Sequence, residues 1–139
     1  MILAGLLLGL AYPNWRTAPP QAGSQSSSAG SLSLATVRVV DGDTFWLGGE
    51  KIRIADIDTP ELQAGCPEEA VLAGQATRRL EGLLGEGPFD LSPIPGRDED
   101  RYGRKLRIVS RGGRSLGDVL VAEGLARAWT GRREPWCAV

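Results

Sequence analysis

Apolar residues along this chain fall into two periods. Between Leu32 and Ile57 they come in short bursts: Leu32 to Val40 ends in VRVV, Thr44-Phe45-Trp46-Leu47 follows, and Lys51 to Ile57 reads KIRIADI. Near-alternation at this length predicts β-strands. Asp41-Gly42-Asp43 and Gly48-Gly49 are the turns between them. In the third strand Ile52, Ile54 and Asp56 share one face, with Arg53, Ala55 and Ile57 on the other. Thr59-Pro60 ends that strand, because proline has no N–H for a ladder.

From Pro67 the period becomes helical. Proline suits the first helical position, and Glu68 and Glu69 sit in the first turn, where the helix dipole favours acids. Leu72, Ala73, Ala76, Leu80, Leu83 and Leu84 make an apolar stripe that ends at Gly85 or Gly87. Pro88 to Ile94 reads as an edge strand, Pro95 to Asp100 as a polar loop, and Leu106 to Val109 as a further strand. Arg111-Gly112-Gly113 turns the chain. Ser115 with Asp118 then resembles a capping box opening a short helix that ends at Gly124. Leu125 to Trp129 is a last extended or helical stub, and the tail GRREPWCAV is too short and broken for another helix. Strands mixed with helices, without strict alternation, predict an α+β domain with a five-stranded barrel and two packed helices.

Nineteen glycines and nine prolines among 139 residues agree with many turns and short strands. The N-terminal segment stands apart. Met1 to Ala11 is an apolar run too short to span a bilayer alone but suited to a signal-peptide core or a membrane anchor. Pro13 to Ser31 has the Pro, Ser, Gly and Ala content of a linker. The expected division is therefore residues 1–31 for export and linkage, and 32–139 for one folded domain. An exported product is periplasmic, membrane-anchored or secreted.

The chain has no histidine. That excludes histidine acid–base chemistry and the histidine-containing triads and zinc sites. Carboxylates, arginines, hydroxyls and bound metal remain. The net charge of −1 does not announce a nucleic-acid binder; local basic groups such as Arg97, Arg101, Arg104, Lys105 and Arg107 would have to hold phosphates.

Asp43 and Asp58 flank paired strands and can face one cleft. With a backbone carbonyl, Thr59 being the nearest choice, and waters they suit Ca²⁺, ahead of the stricter octahedral Mg²⁺. The plainer reading is a pair of turn-forming aspartates. Arg53 and Arg104 can bind phosphate bidentately and stabilise charge on a pentacovalent phosphorus, or they can merely neutralise the aspartates. Glu61 can orient or deprotonate water. Asp56 receives no role.

VVDGDTF, IRIADIDTPE, DRYGR and SLGDVLVAEGLARAW occur in that order between Val37 and Trp129. Together they resemble the staphylococcal-nuclease (thermonuclease) family. The resemblance implies an OB-fold barrel and Ca²⁺-dependent hydrolysis of DNA and RNA phosphodiesters. It implies Asp43, Asp58 and the Thr59 carbonyl as metal ligands, with Asp41 behind them. Glu61 becomes the general base, and Arg53 and Arg104 the clamp on the scissile phosphate. Tyr102, and Arg101 in place of the family's usual lysine, would contact a terminal phosphate. The chain departs from the family in its slight acidity, in lacking a clear second stacking aromatic (Trp129 is one step out of register), and in its short tail.

Cys66 and Cys137 fit an exported domain, where a bridge would tie that tail to the segment after the site; two free buried thiols are the alternative. The expected enzyme is a monomer acting on DNA or RNA, with no obligatory protein partner and an N-terminal segment able to engage a membrane. The competing expectation is a catalytically weak, nuclease-like module that only binds nucleic acid or a protein.

Overall fold

The computed structural model describes residues 36–138, so the signal segment, the linker and the domain start at Leu32 lie outside the described residues. Strands β1 (Val37–Asp41), β2 (Thr44–Leu47) and β3 (Glu50–Ile54) form the expected antiparallel meander. The β1–β2 register slips between Val39 and Asp41, the kind of irregularity that re-aims side chains at a sheet edge. After β4 (Ile57–Asp58), helix α1 (Pro67–Gly85) and β5 (Asp90–Pro93), strand β6 (Lys105–Arg111) pairs in parallel with β3. Its other edge carries β5, and β7 (Arg114–Ser115) pairs at its end. Helix α2 (Leu116–Ala122) leads to β8 (Arg127–Ala128), which pairs antiparallel with β4 as a separate ribbon.

The α+β class holds, but the expected barrel is not closed. Among the described residues the main ladder runs β1-β2-β3-β6-β5 with β7 beside β6, and its end strands β1 and β5 do not pair with each other. The sheet is mixed and open. Alternation cannot be read in two-residue strands such as β4, β7 and β8, and sheet closure depends on long-range pairing that no local pattern encodes.

The core gathers Phe45, Ile52, Ile54, Val109, Leu80, Leu83, Leu116 and Leu120 between sheet and helices. Burying a leucine such as Leu80 is worth roughly 1.5–3 kcal/mol. Strand β3 lies between β2 and β6, so Arg53 is buried as well as its apolar neighbours. A turn at Ala55-Asp56 then returns Ile57 to the core, which corrects the expectation that Ile57 shares a face with Arg53.

Helix α1 begins at Pro67 as expected and buries Ala73, Ala76, Leu80, Leu83 and Leu84. It packs tightly on the turn between β1 and β2: a Cβ on Gly42 would stand 2.7 Å from that of Ala76. Only glycine allows this approach. At α2, Ser115 Oγ accepts from the N–H groups of Gly117 and Asp118 while donating to Asp56 Oδ2 at 2.6 Å. Asp56 thus orients a helix cap. Among the described residues no helix is long and apolar enough to cross a membrane.

Candidate active site

Asp43 and Asp58 reach the same place from the start of β2 and the end of β4, and both are buried. Arg53 on β3 lies between them. Its Nη2 is 3.3 Å from Asp43 Oδ2 and 3.8 Å from Asp58 Oδ1. Its Nη1 donates to the carbonyls of Ile54 and Ile57. The chain therefore aims a guanidinium at two carboxylates and fixes it with backbone acceptors. The neutralising role weighed from sequence is a real part of Arg53's contacts.

It leaves the carboxylates incompletely satisfied. Asp43 Oδ2 and Asp58 Oδ1 are buried without a hydrogen-bond partner. Burial raises the pKa of Asp58, helped by the charge of Asp43; Arg133, Trp136 and Arg53 pull it the other way. Asp41 is pushed up to about 6 by burial and by its neighbour Asp43, whose N–H it accepts at 3.1 Å. Asp43 Oδ2 and Asp58 Oδ1, held by ion pairs without a hydrogen bond, form an all-oxygen donor set with the buried Thr59. Such a set fits a hard divalent cation.

Arg104 closes the site from the loop before β6. Its Nε donates to Asp100 Oδ2 at 2.6 Å and its Nη1 to Thr44 Oγ1 at 3.2 Å. Thr44 in turn donates to Asp43 Oδ1 at 2.9 Å. Gly103, at φ +77°, supplies the left-handed turn that brings Arg104 round to Asp100. Burial works against ionised Asp100, but hydrogen bonds from Arg104 and from the Tyr102 N–H leave its pKa lowered overall.

Glu61 stands on the loop between β4 and α1. Its N–H donates to Glu69 Oε1 at 3.1 Å, and Gly65 N donates to Glu69 Oε2 at 2.8 Å, so one buried carboxylate from the first turn of α1 fixes that loop. The Glu61 carboxylate pairs with Arg133, which also lies 3.3 Å from Asp58 Oδ1. Arg104, Thr44, Asp43, Arg53, Asp58, Arg133 and Glu61 thus form one continuous polar chain.

Arg53, Arg104, Arg133 and Glu61 of that chain border an open cleft of about 820 Å³, walled by six basic side chains (Lys51, Arg53, Arg97, Arg101, Arg104, Arg133) and two acidic ones, Glu61 and Asp100. A nearly neutral protein therefore concentrates positive charge on one face. Tyr102 is exposed beside Arg101, which donates to its hydroxyl. Trp129 lies half-open with its ring 5.6 Å from the Arg53 guanidinium carbon.

Of the residues singled out from sequence, Arg53, Glu61, Arg101, Tyr102 and Arg104 line this cleft, and Asp43 and Asp58 belong to the chain of contacts behind it; Asp41 accepts from the Asp43 N–H, Thr59 is buried next to Asp58 in the chain, and Asp56 serves the cap of α2. The basic cluster expected at 97–107 divides. Arg97, Arg101 and Arg104 face the cleft, whereas Lys105 and Arg107 are taken up by Asp98 and Glu99. Sequence reasoning missed Thr44, Glu69, Asp100 and Arg133. Only the burial of Glu69 on the apolar side of α1 left a trace, as an acid one turn before Ala73. The expected Cys66–Cys137 disulfide is formed. With its sulfurs bonded to each other, the Cys66, Glu69 and Cys137 cluster offers no thiolate to a metal.

Residues 51–136 match the staphylococcal nuclease homologue family. The chain is 35% identical over 102 residues to "Endonuclease YncB" of Bacillus subtilis (strain 168), covering 69% of this chain and 47% of that protein. It is 35% identical over 96 residues to "SPbeta prophage-derived endonuclease YokF" of the same organism, covering 65% of this chain and 32% of that one. The chain thus spans half or less of the length of these relatives. With the matched region taking in the buried arginine, both flanks of the cleft and the tail, the chain belongs to the staphylococcal nuclease homologue family.

Proposed function

We propose that this protein is a divalent-metal-dependent nuclease that hydrolyses phosphodiester bonds of DNA and RNA, with Ca²⁺ as its metal. The observation that carries the reading is the unbroken chain from Arg104 through Asp43, Arg53 and Asp58 to Glu61, whose arginines and Glu61 line a basic cleft. The names of the two Bacillus relatives agree with it. The open mixed sheet is read as an OB-type arrangement that presents these groups.

Asp43, Asp58 and the Thr59 carbonyl would hold the cation. When bound, it supplies Lewis acidity to a non-bridging phosphate oxygen. Arg53 and Arg104, which line the same cleft, offer guanidinium groups to the phosphate and stabilise the charge that develops during attack. Glu61 accepts a hydrogen bond from the attacking water and takes its proton. Trp129 and Tyr102 present ring faces on which unstacked bases can lie, which favours single-stranded substrate. Arg101 meets a neighbouring phosphate, and Asp41 supports Asp43 through its N–H.

The Cys66–Cys137 bridge supports an oxidising compartment, and with the apolar Met1 to Ala11 run it favours export. The test is cleavage of single-stranded DNA and of RNA in Ca²⁺, Mg²⁺ or EDTA, by the full chain and by Glu61→Gln. Calcium-dependent cleavage, reduced at least a hundredfold in the variant, is the expected result, on the order of general-base contributions. Binding without cleavage under all three conditions would replace this reading by the non-catalytic module.

A further inference from the structure

The tail after β8 has neither helix nor strand between residues 129 and 138, yet it is anchored along its length. It leaves the β4–β8 ribbon, in which Arg127 pairs with Asp58. The Arg127 guanidinium then donates to the carbonyls of Glu134 and Pro135 and lies 3.8 Å from the Trp136 ring centre. Cys137 closes the path by bonding to Cys66, on the loop that carries Glu61. Arg133 sits between these anchors, paired with Glu61 and with Asp58.

Arg133 is 55% exposed and Glu61 40% exposed, and a pair so open to water contributes little stability. Stability therefore does not account for the Arg133–Glu61 contact itself, which the covalent bond, the stacked tryptophan and the two carbonyl contacts hold in place. Glu61 is gripped from two sides. Glu69 holds its backbone from within α1, and Arg133 holds its carboxylate from the tail. Without Arg133 the carboxylate rotates freely on a loop, and misplacement of a water-activating group by about 1 Å can cost on the order of a hundredfold in rate.

We infer that the disulfide-clipped tail is a working part of the active site, with Arg133 as a positioning residue that fixes the Glu61 carboxylate. This rests on the reading of Glu61 as the group that activates water. It also makes turnover dependent on the Cys66–Cys137 bridge, because reduction removes the anchor nearest the Glu61 loop.

The experiment uses the full chain as wild type, Arg133→Ala and Arg133→Lys, each oxidised and after reduction with dithiothreitol. It measures kcat and KM on single-stranded DNA, calcium affinity by calorimetry, and circular dichroism to confirm folding. Arg133→Ala should lower kcat about ten- to a hundredfold with KM changed less than about threefold, and Arg133→Lys should restore part of it. Calcium should bind Arg133→Ala at least as tightly as wild type, since a cation facing Asp58 has been removed. Reduction should lower kcat of the oxidised wild type severalfold and leave Arg133→Ala unchanged.

Unchanged kcat in Arg133→Ala, with an active wild type, overturns the inference while leaving the nuclease reading intact. Higher kcat in that variant does so too, and shows the tail to be a plug. A proportional loss of calcium affinity would mean that Arg133 acts through the metal ligands rather than through Glu61. Equal losses on reduction in both proteins, or none in the wild type, would remove the bridge from the account. An inactive wild type fails at the earlier step and takes both readings with it.

Discussion

The Arg104 guanidinium donates to the Thr44 hydroxyl at 3.2 Å, joining positions sixty residues apart, and that hydroxyl donates a hydrogen bond in turn to Asp43. One buried threonine thus sets the spacing between Arg104 and Asp43, the groups that the proposed mechanism gives to phosphate and to metal. Thr44→Val keeps the shape but leaves Asp43 Oδ1 without a donor. It should cost about 1–3 kcal/mol in urea unfolding and lower kcat/KM about tenfold. An active, equally stable variant would show that the hydroxyl aligns nothing.

Arg53 is the cation that keeps two buried aspartates together. Arg53→Ala should destabilise the fold by about 3–5 kcal/mol, because it leaves Asp43 and Asp58 buried against each other. Calcium should then raise the melting temperature of this variant more than that of the wild type, since a bound cation stabilises the folded state only. Equal calcium shifts in the two proteins would argue against a shared cation position. Arg53→Lys, which retains charge but not the fork, should fold and lose about 3 kcal/mol of transition-state stabilisation, the scale of removing one charge-stabilising donor.

The Asp100–Arg104 contact carries a pH signature. Burial opposes ionisation of Asp100, yet hydrogen bonds from Arg104 and the Tyr102 N–H bring its folded pKa below the ordinary 3.8. A depressed carboxylate adds stability that is present above the unfolded value and lost as pH falls through the folded one. The melting temperatures of wild type and Asp100→Asn should therefore differ at pH 7 and converge below about pH 4. A gap that stays constant through that range would separate the contact from stability.

Charge on this protein is segregated, so its net value of −1 is a poor guide to binding. Six basic groups line the cleft against two acids. Affinity for a single-stranded oligonucleotide in EDTA should fall steeply with salt, with a log–log slope of roughly −0.7 for each phosphate neutralised. Arg97→Ala should make that slope shallower by about one contact. A flat salt dependence would place the polyanion elsewhere.

Much of this was legible in sequence because it is local. The meander, the Pro67 helix and the Ser115 cap each follow from a few adjacent residues, and Asp43, Arg53, Asp58 and Glu61 fall within one short segment. What escaped lies across the chain. Thr44 looked like a strand residue, and its use becomes visible only when Arg104 arrives beside it. Arg133 sat in a tail without periodicity, and only the disulfide and the β4–β8 ribbon show where that tail runs. Lys105 and Arg107 seemed available for phosphate until Asp98 and Glu99 folded back upon them. Barrel closure escaped for the same reason, since two-residue strands are defined by their partners rather than by their own pattern.

The parallel pairing of β3 with β6 has a consequence in time. A chain still emerging from the ribosome acquires Asp43, Arg53 and Asp58 early, but the strand that must lie against β3 is made only after α1 and β5. Non-local pairings form late because a long loop must close first. The guanidinium of Arg104 and the tail with Arg133 come later still. A nascent or truncated chain thus carries Asp43, Arg53 and Asp58 without Arg104 and Arg133, and the line of polar contacts that ends at Glu61 closes only once the last residues of the domain are in place.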